Sequence, residues 1–137
     1  MIKFEKRFDN NAYRVADAVL SDTVTELNEG QWVTFDEAGE LVIAGEASVH
    51  AFMAMGSMRA GRDQVSGKIS KKIAFLYGPF RVETDQFDAT GTYADTITPL
   101  TLGTDGVLKD ADLVAGDKVY AYAQGAPVDG FLTIYSV

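Results

Sequence analysis

Apolar and polar residues alternate in two similar stretches of the chain, and each stretch is interrupted by a turn that contains glycine. One stretch, over 32–42, reads Trp-Val-Thr-Phe-Asp-Glu-Ala-Gly-Glu-Leu-Val; the other, over 100–109, reads Leu-Thr-Leu-Gly-Thr-Asp-Gly-Val-Leu-Lys. Alternation with period two predicts strands, and Gly39 and Gly106 occupy matching places where a tight turn needs a positive φ. We therefore predict two similar β-hairpin units.

The similarity continues after each hairpin. A glycine–acid pair and then a strand-like segment follow, at 45–46 and 49–52 in one copy and at 116–117 and 119–122 in the other. In this alignment His50, the only histidine, matches Tyr120. A catalytic base or a metal ligand needs further groups around it, and the sequence signals none near His50. The alignment therefore favours a structural role for His50 on a strand.

The rest of the chain predicts further short strands at intervals of about ten residues. They fall at 23–27, 48–55, 71–77, 80–84 and 130–137, with glycine or proline between several of them. This pattern is typical of an all-β fold, a small β-barrel or a β-sandwich, here built around the two hairpin units. Residues 1–22 show no clear period, so we predict an N-terminal arm or short helix there, followed by a single β domain over 23–137.

Composition and charge exclude several classes of protein. The chain has 137 residues and no cysteine, so it has no disulfide framework and no thiolate metal site. No segment reads as a signal peptide or a membrane span, and we expect a protein that is made and kept soluble inside a cell. The net charge of −8 disfavours direct binding of nucleic acid. Six of the twelve basic residues nevertheless lie between Arg59 and Arg81, in or near a loop rich in glycine and polar residues.

No segment carries a convincing catalytic, cofactor or metal motif. Residues 61–69 resemble a phosphate-binding loop, but the spacing between the glycines is too long, Ile69 replaces the hydroxyl residue, and a strand follows instead of a helix. The acidic residues around Asp85 and Asp88 lack the order of a calcium loop, and we interpret them as solvated carboxylates. We predict that the protein is not an enzyme and has no cofactor.

Aromatic residues recur in the last strands, at Tyr120, Tyr122, Phe131 and Tyr135. Strand alternation favours core and cross-strand pairs for these side chains. An exposed row of them would instead be a platform that stacks on sugars. A β-barrel module that binds carbohydrate or another partner, on a virion or tail, is therefore the alternative function, and a small enzyme is the least favoured one.

The chain resembles the small head decoration, or cement, proteins of tailed bacteriophages and prophages. The resemblance lies in the glycine-turn units at 30–42 and 91–108, in the segment 77–88, and in the C-terminal strand. It implies a β-rich structural protein of the virion, made in the host cytoplasm, that binds the outer surface of an icosahedral capsid. It further implies a homotrimer that bridges subunits of the major capsid protein and stabilises the shell.

A cement protein needs broad contact area and complementary charge more than a pocket. The N-terminal segment and the basic loop are the parts outside the repeat, and we expect the capsid or a neighbouring subunit to be bound there. We also expect deletion of residues 1–11 to leave the domain folded but to reduce capsid occupancy. The candidate partner-binding residues are Phe4, Phe8, Tyr13, Arg14, Arg59, Arg62, Lys68, Lys71 and Lys72.

Overall fold

The computed structural model describes residues 1–4, 14–57 and 72–136, with only the backbone of Phe4. These residues form strands, turns and bends, without a helix, so none of them belongs to a helix that could cross a membrane. The strands are β1 (Ile2–Phe4), β2 (Val15–Val19), β3 (Trp32–Phe35), β4 (Leu41–Ile43), β5 (Phe52–Ala54), β6 (Lys72–Leu76), β7 (Arg81–Thr84), β8 (Ile97–Leu102), β9 (Leu108–Asp110), β10 (Ala121–Gln124) and β11 (Leu132–Ser136).

The strands form two antiparallel sheets, which confirms the predicted all-β class. One sheet has six strands in the order β1-β7-β11-β10-β8-β9, and the other has five in the order β2-β6-β5-β3-β4. Side chains from both sheets share one buried cluster, to which Trp32 and Leu76 contribute from the five-stranded sheet and Leu100 and Ile134 from the six-stranded sheet. The sheets stay separate, so the sandwich and not the barrel describes the architecture.

The two sheets repeat one topology. Strands β2 to β6 and strands β7 to β11 are each consecutive in the chain, and the sheet orders β2-β6-β5-β3-β4 and β7-β11-β10-β8-β9 match strand for strand. We call residues 14–77 the first unit and residues 80–136 the second unit. The repeat is therefore a whole five-stranded sheet, of which the predicted hairpin is one part, and β1 is added beside β7.

The two hairpins match in register as well as in order. Phe35 pairs with Leu41 in the first unit, and Leu102 pairs with Leu108 in the second. Glycine with a positive φ lies in both turns, at Gly39 and Gly106. The hairpin units predicted from the alternation of residues are thus confirmed. Matching backbone hydrogen bonds close the turns and stabilise each unit. The N–H groups of Asp36 and Gly103 donate to the carbonyls of Glu40 and Val107, those of Ser21 and Asp88 to Leu41 and Leu108, and those of Tyr77 and Ser136 to Arg14 and Phe80.

The described parts of residues 1–22 differ from the arm or short helix expected there. Strand β1 pairs with β7 along its length, and β2 pairs with β6 over five residue pairs. Ile2 is only 7% exposed and belongs to the cluster between the sheets. Its burial, together with pairing to an otherwise open strand edge, holds this segment in the sandwich although its sequence shows no clear period.

The strand after each hairpin corrects the predicted position of His50. Val33 pairs with Phe52 in the first unit, and Leu100 pairs with Ala121 in the second. These pairs set the register of the strand that follows each hairpin. Counting back one residue places Ala51, not His50, at the position equivalent to Tyr120. His50 is exposed at a bend before β5. The alignment slipped by one residue because the connections before these strands differ in length.

Candidate partner-binding surface and pocket

The residues predicted to bind a partner are not brought together where the structure describes them. Arg14 precedes β2, and Lys72 pairs with Val19 at the other end of that strand. These two residues are roughly 17 Å apart along the sheet, at about 3.4 Å per residue. The backbone of Phe4 lies in the other sheet. The remaining candidates, Phe8, Tyr13, Arg59, Arg62, Lys68 and Lys71, lie outside the described residues.

An aromatic patch, which the sequence analysis missed, lies on the outer face of the five-stranded sheet. It consists of Phe35, Phe52, Phe75 and Tyr77. The ring centroids of Phe35 and Phe52 are 5.7 Å apart, those of Phe35 and Phe75 are 5.8 Å apart, and those of Phe52 and Phe75 are 5.1 Å apart. Tyr77 continues the patch, 6.4 Å from Phe75. Phe35 is 43% exposed and Tyr77 is 38% exposed, so the patch reaches solvent.

Strand alternation explains why these rings share a face. Trp32, Met53 and Leu76 point into the core between the sheets, so their neighbours Phe52 and Phe75 point the other way. The rest of the outer face is covered by the chain itself, since Leu20, Val24 and Leu27 are buried against it. The alternation of β3 does place Val33 and Phe35 on one face, but the neighbouring strands that complete the patch are set by long-range pairing.

One border of the patch is acidic. The hairpin turn that follows Phe35 contains Asp36, Glu37 and Glu40. The Oδ1 atom of Asp36 accepts hydrogen bonds from the backbone N–H groups of Ala38 and Glu40, both at 2.9 Å, which holds the turn. Glu37 is exposed. The patch therefore offers apolar area with negative charge at one side.

The six-stranded sheet carries a smaller aromatic group on its own outer face. Tyr122 and Tyr135 are cross-strand neighbours whose rings stack with centroids 5.6 Å apart and planes at 24°. Phe131 lies just before β11, and the Nζ atom of Lys3 on β1 lies 3.8 Å from the centroid of its ring. Tyr120, which the sequence analysis grouped with these residues, is buried in the core instead.

A pocket of about 210 Å³ opens where the two units meet. Trp32 lies in its wall and is only 2% exposed, and its indole Nε1–H has no hydrogen-bond partner among the residues that the structure describes. The ring of Phe80 packs beside Trp32 with centroids 5.9 Å apart. The lining residues are Trp32, Val49, His50, Ala51, Phe52, Leu76, Tyr77, Gly78, Phe80, Lys118, Val119, Tyr120 and Ser136.

Polar groups at this pocket are held in place by the backbone around residue 48. The Tyr120 hydroxyl donates to the carbonyl oxygen of Ser48 at 2.5 Å, and burial raises the pKa of Tyr120. The Lys118 Nζ atom donates to the carbonyls of Ser48 and Val49 and lies 5.2 Å from the centroid of the Tyr120 ring. A lysine is therefore fixed at the pocket wall.

The carboxylates considered for calcium serve the local structure. Asp88 Oδ1 accepts hydrogen bonds from the backbone N–H and the hydroxyl of Thr90, at 2.9 Å and 2.6 Å, and these bonds lower the pKa of Asp88. Ser21 and Thr23 make the matching turn in the first unit. Asp85 pairs with the Met1 amino group at 2.6 Å. Within ranges 1–4, 14–57 and 72–136, no three acidic or histidine side chains are grouped in a way that would hold a metal ion.

Comparison of the chain with protein-family models, with curated proteins and with solved structures finds no match.

Proposed function

We propose that this protein is a structural binding module that docks on another protein through the aromatic patch, and that its partner is the major capsid protein of a tailed phage. In this role it is a decoration protein on the outer capsid surface, assembled as a homotrimer, that bridges capsid subunits. The proposal involves no catalytic step, cofactor or nucleic-acid contact. The observation that carries it is the partly exposed cluster of four aromatic rings on one sheet face.

The chemistry of the patch is that of a protein-binding surface. Aromatic residues are enriched at the centres of interfaces, where they bury a large area at little cost in side-chain entropy. Phe35 and Tyr77 project from a sheet whose other rings, Phe52 and Phe75, support them from within the face. A partly exposed apolar surface of this kind is typical of a protein-binding site.

Charge specifies the partner further. The acidic turn beside Phe35 and the net charge of −8 favour a partner whose contact surface is basic. Attachment to an assembled shell also explains how such a module stabilises it, since binding only the assembled state shifts the equilibrium away from free subunits. The resemblance of the glycine-turn units to those of decoration proteins is the reason for naming a capsid as the partner.

The test is a comparison of two variants that each remove aromatic side chains from the outer face of one sheet. The double variant Phe35→Thr, Tyr77→Thr alters the aromatic patch, and Tyr122→Thr alters the other outer face. Each is incubated with expanded phage heads, and bound protein is quantified after sedimentation and located by electron microscopy. We expect the patch variant to lose at least about tenfold in affinity, the cost of removing one anchor residue. Equal binding of a folded patch variant and the wild type would refute the proposal.

A second candidate function rests on the stacked pair Tyr122 and Tyr135. Nearly parallel aromatic rings on a sheet face, with Phe131 just before β11, would stack on the faces of sugar rings. Glycan-array binding that is lost in Tyr122→Thr and kept in the patch variant would support this carbohydrate-binding role. The same pair of variants thus separates the two functions.

A further inference from the structure

We infer that the pocket between the two units binds a small carboxylate with an aromatic body, of about the size of benzoate. The inference does not depend on the capsid role, because benzoate binding is tested without a capsid, although Phe52 and Tyr77 belong both to the pocket lining and to the aromatic patch. It rests on two properties of the pocket: its volume, together with the apolar side chains in its wall, and the sign of its charge.

The volume suits one ring with a short substituent. An engineered protein cavity of about 150 Å³ holds benzene. The present pocket has about 210 Å³, which leaves room for a carboxylate in addition to the ring. The side chains of Trp32, Leu76 and Phe80 lie in its wall, and apolar groups of this kind favour a planar apolar body.

The charge of the pocket selects for an anion. Lys118 and His50 are in the lining, and no aspartate or glutamate is among the described lining residues, in a chain of net charge −8. Lys118 is positioned by two backbone carbonyls, and the described residues give it no carboxylate partner. Its positive charge therefore remains available to a ligand, and its hydrogen bonds reduce the freedom it would lose on binding.

The repeat shows that the Trp32 side of this pocket is not duplicated in the second unit. Trp32 and Pro99 are equivalent, since each accepts the matching backbone hydrogen bond, from Ala44 at 3.0 Å and from Ala111 at 2.9 Å. Proline has no aromatic ring, so the corresponding place in the second unit lacks this part of the apolar wall.

The chain has a single tryptophan, so the Trp32 indole N–H gives one resonance that reports directly on the pocket. Benzoate and its neutral analogue benzyl alcohol are titrated into the ¹⁵N-labelled protein. We expect a saturable shift of the indole resonance with benzoate, with a dissociation constant of about 1 mM or tighter for a ligand of this size. Benzyl alcohol should bind at least about fivefold more weakly, because it lacks the charge that Lys118 recognises.

Two lysine variants locate the charge. Lys118→Met keeps the apolar stem and should weaken benzoate about fivefold or more while leaving benzyl alcohol unchanged. Lys109→Met, at a lysine outside the pocket lining, is the matched control and should bind benzoate as the wild type does. Absence of a saturable indole shift, or equal affinity of the wild type for benzoate and benzyl alcohol, would overturn the inference. The second criterion needs no variant and holds even where Lys118→Met fails to fold.

Discussion

The backbone N–H of Trp32 donates to the carbonyl oxygen of Gly106 at 2.8 Å, so the turn of the second hairpin is bound to strand β3 of the first unit. The side-chain Nε2 of Gln31 adds a hydrogen bond to the Asp105 carbonyl at 2.8 Å. The reverse contact cannot form, because Pro99 stands in place of Trp32 and has no N–H. Of the two hairpin turns, this one therefore makes a backbone hydrogen bond to the other unit that its counterpart cannot make.

Substitution of the two turn glycines should have unequal effects. Gly106 and Gly39 have similar positive φ values of 72° and 78°, so alanine is strained at both, by about 1–2 kcal/mol. A Cβ atom on Gly106 would lie 2.6 Å from the Trp32 carbonyl oxygen, whereas one on Gly39 would meet nothing within 4 Å. We expect Gly106→Ala to lower the free energy of unfolding by a further 1–3 kcal/mol or so, the usual range for overpacking.

Chemical denaturation of both variants measures this difference, and Gly39→Ala is the matched control. Equal losses would mean that the contact between the Gly106 turn and β3 contributes nothing to stability.

The first strand should contribute to stability and not only to partner binding. Ile2 is buried between the sheets, and β1 covers an edge of β7. We expect Ile2→Ala to cost about 2 kcal/mol, the lower end for a buried isoleucine because β1 is an edge strand. Deletion of residues 1–11 removes β1 as well, so a lower capsid occupancy after that deletion must be judged against its unfolding curve. Unchanged stability of Ile2→Ala would show that β1 is dispensable.

The phenol of Tyr93 should make stability fall at alkaline pH. Burial, with the nearby charges of Asp110 and Asp88, raises the pKa of Tyr93 from 10.0 to about 12. The folded protein therefore keeps the proton at pH values where the unfolded chain releases it, and stability decreases as the pH rises from 10 to 12. Tyr93→Phe removes this titration, so its unfolding free energy should fall less steeply over the same range.

The control for Tyr93→Phe is its stability at pH 7, where loss of the hydrogen bond to the Asp88 carbonyl should cost about 1 kcal/mol. Identical slopes for both proteins above pH 10 would contradict the assigned pKa.

Substitution of Phe35 and of Phe75 should distinguish an exposed aromatic side chain from a buried one. Phe75 is 5% exposed, and Phe75→Ala should cost at least about 3 kcal/mol. Phe35 is 43% exposed, and Phe35→Thr, which keeps a residue suited to a strand, should cost less than about 1.5 kcal/mol and raise solubility. Thermal unfolding and the concentration dependence of light scattering measure the two effects. A large loss of stability in Phe35→Thr would assign Phe35 to the core and remove the patch as a docking surface.

The hairpins were predictable because their signals are local. Alternation in β3 and in β8, with a glycine at the turn, specifies strand, turn and register within about ten residues. The same local comparison failed at His50, since the connection from β4 to β5 differs in length from the connection from β9 to β10 and shifts the match to Ala51. The complete five-stranded repeat was missed because its other pairings, such as β2 with β6, join distant residues.

The sequence predicted a partner-binding role, but it did not predict which residues form the aromatic patch or the pocket. The aromatic patch needs β3, β5 and β6 side by side, and the pocket needs Trp32 from one unit beside Tyr120 from the other, so neither follows from periodicity. The charge clustering around residues 59–72 drew attention to lysine and arginine, yet the lysine that lines the pocket is Lys118, which is isolated in sequence. Lys118 is distinguished by its hydrogen bonds to two backbone carbonyls, and these contacts are seen only in the structure.

The matched sheets make the chain divisible at Gly78–Pro79. A cut there yields two fragments that each encode a complete five-stranded sheet, and among the described strands only β1 belongs by sequence to one fragment and by pairing to the other. When the two fragments reassociate, the first would donate strand β1 to the sheet of the second. Reassociation would bury Ile2 and restore the hydrogen bond from Trp32 to Gly106. The chain thus resembles two linked copies of one sheet, in which the first copy contributes one strand to the second and receives none in return.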